Sequence, residues 1–287
     1  MPAPDHLVWI TGAQGLLGNY LLQTAPRSAA HYRVRPLTRA DCDLLDFAAV
    51  EREFKKDRPQ TIIHCAAITV VADAWKNPDL AWRVNCEVTR FLAGLAVENQ
   101  FVFFSTDLVF DGKKGNYVET DPVNPLTRYG ETKAAAEQIV LQNPRHLVVR
   151  TSLNGGISPS GNRAFNEQLR AALQAAGQGM TLFTDEFRCP VPAIVTARAV
   201  WELARKNCEG LYHVAGAEKL SRWQIGQLLV PRWPEVKNKI QSGSARDFAG
   251  PPRALDTSFD ITKSQKVLST PLPGLTAWLA ANPAEPF

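Results

Sequence analysis

Tyr129 and Lys133, in the string Tyr-Gly-Glu-Thr-Lys, could together move a proton. A spacing of four sets them one turn apart on a single helical face. A phenol with a pKa near ~10 is a poor acid–base group at neutral pH, and a nearby ammonium favours phenolate and lowers that value. The same spacing also suits an ordinary exposed pair, so context must decide. Context comes from Phe101-Val102-Phe103-Phe104-Ser105-Thr106-Asp107, an apolar run that ends in hydroxyls. Thr106 could hydrogen-bond a carbonyl oxygen there, or simply cap the strand end.

A second group of residues suits phosphate. Thr11-Gly12-Ala13-Gln14-Gly15-Leu16-Leu17-Gly18 follows an apolar run and opens a helix-like segment. Glycines at this spacing allow a tight turn and let the backbone approach a pyrophosphate, while the helix start offers unpaired N–H groups. A ligand-free glycine turn is the plainer alternative. The ribose-reading position falls about 20 residues on, at the end of the second strand. It reads Leu37-Thr38-Arg39. With no acid there for a 2′-hydroxyl, Arg39 could pair a 2′-phosphate, favouring NADP over NAD. Arg39 could also be merely solvated, and Asp41 and Asp43 lie close enough to matter.

The elements that must position these groups alternate. Strand-like runs are expected at His6 to Thr11, Arg33 to Thr38, Thr61 to Ala66, Phe101 to Ser105 and His146 to Thr151. Helix-like segments are expected at Leu16 to Thr24, Phe47 to Lys56, Leu80 to Asn99 and Thr132 to Gln142. That order predicts an α/β fold with a doubly wound parallel sheet, its strands apolar throughout because both faces are covered. After Arg150 the pattern changes. A Gly/Ser/Pro-rich loop at 154–162 precedes helices near Phe165 to Ala176 and Ala193 to Lys206, a strand at Leu211 to Ala215, and frequent prolines including Pro251. The expected division is residues 1–150 and 151–287, with about 190–216 returning to the first part.

Composition excludes several classes. The chain of 287 residues is 45% hydrophobic and 21% charged, too apolar for disorder. Its net charge of +4 gives no reason to expect nucleic acid as a partner. No run approaches the ~18 apolar residues of a membrane helix, and Met1 to His6 does not read as a secretory signal. Five cysteines (Cys42, Cys65, Cys86, Cys189, Cys208) without a C-x-x-C pair point to a reduced, cytoplasmic setting rather than to disulfides or zinc. The histidines form no ligand-like cluster, so no metal is expected. Trp201 and Phe165 read as core. Trp223 and Trp233 could stack on a base, but interior packing is the simpler reading.

Beyond these motifs, the chain resembles the extended short-chain dehydrogenases/reductases and, within them, the dTDP-4-dehydrorhamnose reductase family. The resemblance rests on Gly12 to Gly18, His64-Cys65-Ala66-Ala67, Asn85, and Ser105-Thr106-Asp107-Leu108-Val109-Phe110-Asp111-Gly112. It continues through Pro125, Tyr129-Gly130-Glu131-Thr132-Lys133 and Val149-Arg150-Thr151-Ser152, with weaker echoes to Leu255-Asp256-Thr257. It implies a Rossmann-type fold with a smaller C-terminal substrate-binding part, and hydride transfer from NADP, or NAD, to the 4-keto group of a nucleotide-activated deoxysugar. Tyr129 would give the proton, Lys133 would bind the nicotinamide ribose and lower the tyrosine pKa, and Thr106 would polarise the keto oxygen. Gly15, Leu16 and Leu17 would match the pyrophosphate loop and Asp43 and Leu44 the adenine side, while Cys65, Ala66 and Ala67 would line the groove. A homodimer is allowed by the resemblance but not specified.

The departures from the family pattern are Leu108, Leu153, Ala72, Trp75, the stretch Asp185-Glu186-Phe187-Arg188-Cys189-Pro190-Val191, and Ala249-Gly250-Pro251-Pro252 before Arg253. They fall on the sugar and nucleotide side, not on the cofactor side. Two other readings therefore stay open: an epimerase of the same superfamily, and a cofactor-binding regulatory subunit without catalysis.

Overall fold

Strand β1 (His6–Thr11) buries alternate residues on opposite faces, and this sets the architecture. Val8 and Ile10 enter one core with Leu21, Val149 and Trp201. Trp9 enters the other with Ile62, Phe101, Phe103 and Val148. A fully buried side chain of this size contributes about 1.5–3 kcal/mol, so two-sided burial, rather than strand propensity, holds the sheet. The structure, a computed structural model, describes residues 6–26, 32–175, 179–236, 240–250, 252–285 and 287. Residues 1–5, Ala176 and Pro251, named above, lie outside them.

The sheet is parallel throughout. Beside β1 lie β2 (Tyr32–Leu37), β3 (Thr61–His64), β4 (Gln100–Thr106), β5 (Leu147–Thr151) and a sixth strand, Gly210–Val214. Their order is Gly210–Val214, β5, β4, β3, β1, β2. The helices are α1 (Leu16–Gln23), α2 (Phe47–Asp57), α3 (Val71–Lys76), α4 (Pro78–Trp82), α5 (Val88–Leu95) and α6 (Arg128–Val140). The chain runs outward from β1 to β2 and then returns to the other side of β1 at β3. This is a Rossmann-type doubly wound sheet, and its switch point leaves a crevice at the carboxyl ends of β1 and β3.

Local differences from the sequence expectation have physical causes. The long helix expected at Leu80 to Asn99 is broken by a π-helical turn, Arg83–Glu87, around the buried Asn85. The strand expected to run to Ala66 ends at His64, where the chain turns to meet the glycine loop. Helix α6 starts four residues early because the Thr127 side chain accepts a hydrogen bond from Gly130 N at 3.1 Å and caps it.

Beyond β5 the chain forms short pieces. Met180–Phe183 pairs with Ile240–Gly243, and Phe187–Arg188 with Leu220–Ser221. Helix Ala193–Arg205 packs beside α1, where Trp201 Nε1 donates to Leu21 O at 2.9 Å. Phe165, Trp223 and Trp233 are partly buried against the larger core. No helix among the described residues is long and apolar enough to cross a membrane.

Candidate active site

The glycine turn is built for close approach. Gly12 has φ +64°, and a Cβ there would lie 2.6 Å from Ala66 N. A Cβ on Gly18 would lie 2.4 Å from Gly12 O. The turn thus closes on itself and against the segment Cys65-Ala66-Ala67 after β3. Gly15 N donates to Gly12 O at 2.8 Å, and Gly15, at the N-cap of α1, offers no side-chain cap. The first-turn N–H groups of Leu16 and Leu17 are therefore available to an anion. A cradle that a Cβ would fill, beside an uncapped helix start, fits a dinucleotide pyrophosphate.

At the end of β2, Thr38 uses Asp41 for itself: its N and Oγ1 donate to Asp41 Oδ2 at 2.9 and 2.6 Å. Asp43 is spent in a similar turn, accepting from Leu45 N at 3.0 Å. Leu44 packs against the second core, and Arg39 is exposed on the loop.

Tyr129 and Lys133 lie one turn apart in α6, both buried, at 9% and 3% exposure. Burial pushes the Tyr129 phenol above its ordinary pKa; the nearby Thr106 hydroxyl opposes this and the charge of Asp107 adds to it. The Lys133 ammonium sits 3.8 Å from the centre of the Phe103 ring. Burial lowers its pKa to about 7, with Glu137 and the Cys86 and Cys65 thiols opposing. The expectation that Lys133 lowers the tyrosine pKa is thus not what the fold alone produces. Lys133 is directed at Phe103 and the Cys65 and Cys86 side, and desolvation dominates both groups. The phenol accordingly keeps its proton at neutral pH, the state an acid needs.

Thr106 ends β4 beside them. A carboxylate can only accept, so Thr106 Oγ1 donates to Asp107 Oδ1, at 3.1 Å, and in turn accepts from Leu108 N at 3.2 Å. Asp107 Oδ2 also accepts from Ser152 Oγ at 2.8 Å and Thr257 Oγ1 at 3.1 Å, and lies 3.5 Å from Arg188 Nε. Asp107 thereby ties Thr106 to three separate later segments. Asn85 does the same behind Tyr129. Its side chain accepts from Ile68 N at 2.8 Å and donates to Ile68 O and Thr132 Oγ1 at 3.1 and 2.9 Å.

The structure brings Thr106, Tyr129 and Lys133 together near Cys65, and sets Ala66 against Gly12. Arg39, Asp43 and Leu44 lie at the outer end of the crevice, after the edge strand. Asp107 stood in the motif without a role, although its place after Thr106 was a usable signal. The ion cluster of Glu186 with Arg188, Arg222 and Arg253 carried none, because Arg222 and Arg253 are distant in sequence from Glu186.

A parallel sheet with this switch point, glycine turn and helix defines a Rossmann-type oxidoreductase of the extended short-chain dehydrogenase/reductase kind. More narrowly, the chain belongs to the RmlD substrate binding domain family, whose model matches residues 6–281. It is 31% identical over 276 residues to a dTDP-4-dehydrorhamnose reductase of Aggregatibacter actinomycetemcomitans, covering 90% of this chain and 91% of that one. It is 35% identical over 274 residues to the methionine adenosyltransferase 2 subunit beta of Bos taurus, covering 91% and 82%. A solved dTDP-4-dehydrorhamnose reductase of Bacillus anthracis str. Ames, in complex with NADP, superposes with a TM-score of 0.86 at 25% identity, covering 96% of this chain and 98% of that one.

Proposed function

We propose that this chain is an NADPH-dependent reductase of the 4-keto group of a nucleotide-activated deoxysugar. The observation that carries the reading is the buried Tyr129 beside Thr106, one turn from a lysine near the segment that abuts the glycine turn. The reductase relatives add the substrate class. In this reading residues 1–150 hold the cofactor and most of 151–287 shapes the substrate side, with Ala193–Arg205 and Gly210–Val214 serving the first part. It also puts the enzyme in the cytoplasm, where its five free cysteines stay reduced.

Bound NADPH supplies the hydride. The backbone N–H groups of Leu16 and Leu17 would hold its pyrophosphate, and Arg39 its 2′-phosphate. Tyr129 gives its proton to the carbonyl oxygen as charge develops there. Thr106 turns its O–H from Asp107 to the same oxygen and stabilises it. Lys133 would bind the nicotinamide ribose, trading its exposure to the Phe103 ring for hydroxyl acceptors. The test is NADPH consumption with dTDP-4-keto-6-deoxysugars; failure to turn over any nucleotide ketosugar, with NADPH bound, contradicts the proposal.

One observation favours a second reading, a cofactor-binding subunit of a larger enzyme: the 35% identity to a methionine adenosyltransferase subunit, which matches reductase relatives in extent. Changed kinetics of a methionine adenosyltransferase on addition of this chain, without ketosugar reduction, would decide for it.

A further inference from the structure

Lys133 has no anion of its own. It is almost fully buried, and among the described residues its Nζ makes no hydrogen bond or ion pair; what it meets is the Phe103 ring, 3.8 Å away. One carboxylate stands a turn further along α6, at Glu137, the i+4 position from which a helix ordinarily pairs a lysine. Glu137 is fully buried and both its oxygens are taken: Arg150 Nε donates to Oε1 at 2.9 Å and Arg150 Nη2 to Oε2 at 2.7 Å. That two-point fork is a contact that arginine makes and lysine cannot. Arg150 is fixed from its other side as well. Its Nη1 donates to His213 Nε2 at 3.4 Å, His213 Nδ1 donates to Asp260 O at 3.2 Å, and the guanidinium lies 4.9 Å from the centre of the Phe110 ring. Burial, with Arg150 beside it, lowers the His213 pKa to about 3, so the imidazole stays neutral and can accept.

The groups that face Lys133 from other elements offer it no counter-ion. Cys65 after β3 and Cys86 in the π-helical turn are thiols that burial pushes up, Cys86 to about 11, and Cys86 Sγ is turned to Thr132 O at 3.1 Å. His64, at the end of β3, is lowered to about 3 by burial, with the Lys133 charge adding to it. Tyr129, one turn earlier on α6, is raised by burial. None of these groups changes charge between pH 7 and 9. Lys133 does, because burial lowers its pKa to about 7 against the pull of Glu137 and the two thiols. A buried ammonium without an acceptor loses its proton readily, and regains it when acceptors and a nearby anion arrive.

We propose that Arg150 is a positioning residue for the cofactor: by holding Glu137 it leaves Lys133 unpaired, so that NADPH binding and protonation of Lys133 are one event. This rests on the reductase reading, in which Lys133 grips the nicotinamide ribose, and it adds how pH regulates that grip. The ribose hydroxyls accept from the ammonium, the charge of the pyrophosphate favours it further, and the proton comes from the solvent. Over the range where the free protein has lost this proton, the bound protein keeps it. NADPH affinity is therefore at its full value below pH 7 and falls as pH rises above it, by about tenfold per unit. The 2′-phosphate does not blur this, because a phosphate monoester with a second pKa of about 6 is already ionised at pH 8. With Glu137 released from Arg150, Lys133 would have a counter-ion at i+4 and hold its proton before the cofactor arrives. The coupling would then vanish.

The experiment is calorimetric titration of the full chain with NADPH at pH 8 in Tris and in HEPES, two buffers of different ionisation enthalpy. The dependence of the heat on the buffer counts the protons taken up. The wild type should take up about 0.9 proton per NADPH at pH 8, and its Kd should weaken about tenfold from pH 8 to pH 9. Arg150→Met should take up almost none and bind with nearly the same Kd at both pH values. Arg150→Lys keeps a buried cation that reaches only one oxygen of Glu137, and should fall between the two. A purely structural role for Arg150 would lower the melting temperature of both variants and leave the proton count at the wild-type value, and that result overturns the proposal. So does wild-type binding without proton uptake at pH 8, which needs no variant to fold and leaves the reductase reading standing. Failure of the wild type to bind NADPH at all would contradict both.

Discussion

Replacing Lys133 by methionine should make the cofactor-free protein more stable, and more so at low pH than at high. Lys133 is 3% exposed, its ammonium lies over Phe103, and its pKa falls from 10.5 to about 7, chiefly through burial. The one acid on its own helix face, Glu137, is already held by Arg150, whose Nε and Nη2 donate to it at 2.9 and 2.7 Å. At about 1.36 kcal/mol per pH unit, ionised Lys133 costs on the order of 5 kcal/mol in the folded state below pH 7. Between pH 7 and 10.5 the unfolded chain keeps the proton and the folded chain has lost it, so wild-type stability rises with pH across that window. Below pH 7 both hold it and the cost is constant. At pH 9 about 2 kcal/mol remains. Methionine fills similar volume without charge, so its advantage should shrink by about 3 kcal/mol from pH 6 to pH 9. Calorimetric melting of both proteins at the two pH values reads this as a Tm gap that narrows by several degrees. A gap of the same size at both, or a variant less stable than wild type at pH 6, refutes the reasoning.

Other predictions concern single contacts. Gly15→Trp should abolish NADPH binding by filling the helix start, where a Cβ would already meet Gly12 O at 3.1 Å; calorimetry with unchanged NADPH affinity would contradict it. NADPH should bind more tightly than NADH, and Arg39→Ala should narrow the gap at least several-fold; a wild-type preference for NADH would assign the choice to another contact. Asp107→Asn keeps the shape but weakens the hold on Thr106, Ser152 and Arg188, so ketosugar kcat should fall about tenfold or more. NADPH affinity should not move, and an unchanged kcat would show that Thr106 needs no such anchor.

The sheet was legible because its physics is local. Strands such as Phe101 to Ser105 are apolar throughout, helices separate them, and a glycine turn at Gly12 to Gly18 leaves few alternatives. The π-helical turn at Arg83–Glu87 was not legible, because it answers to contacts of Asn85 with Ile68 and Thr132 on other elements. Tyr129 and Lys133 were visible as a spacing. The direction of the tyrosine pKa was not, since it depends on how deeply α6 is buried and on where the ammonium points. The Glu186 cluster was invisible for the same reason: Arg188, Arg222 and Arg253 come together only when Phe187–Arg188 pairs with Leu220–Ser221 and Phe187 bridges to Asp256.

The most direct test of the account is Tyr129→Phe, assayed for NADPH-dependent reduction of the ketosugar that the wild type reduces best. The change removes one hydroxyl from a buried ring and leaves the glycine turn and Lys133 in place. The account predicts unchanged NADPH affinity and a loss of turnover of roughly 10²–10⁴-fold, as for a lost general acid. Near wild-type turnover in this variant would contradict it.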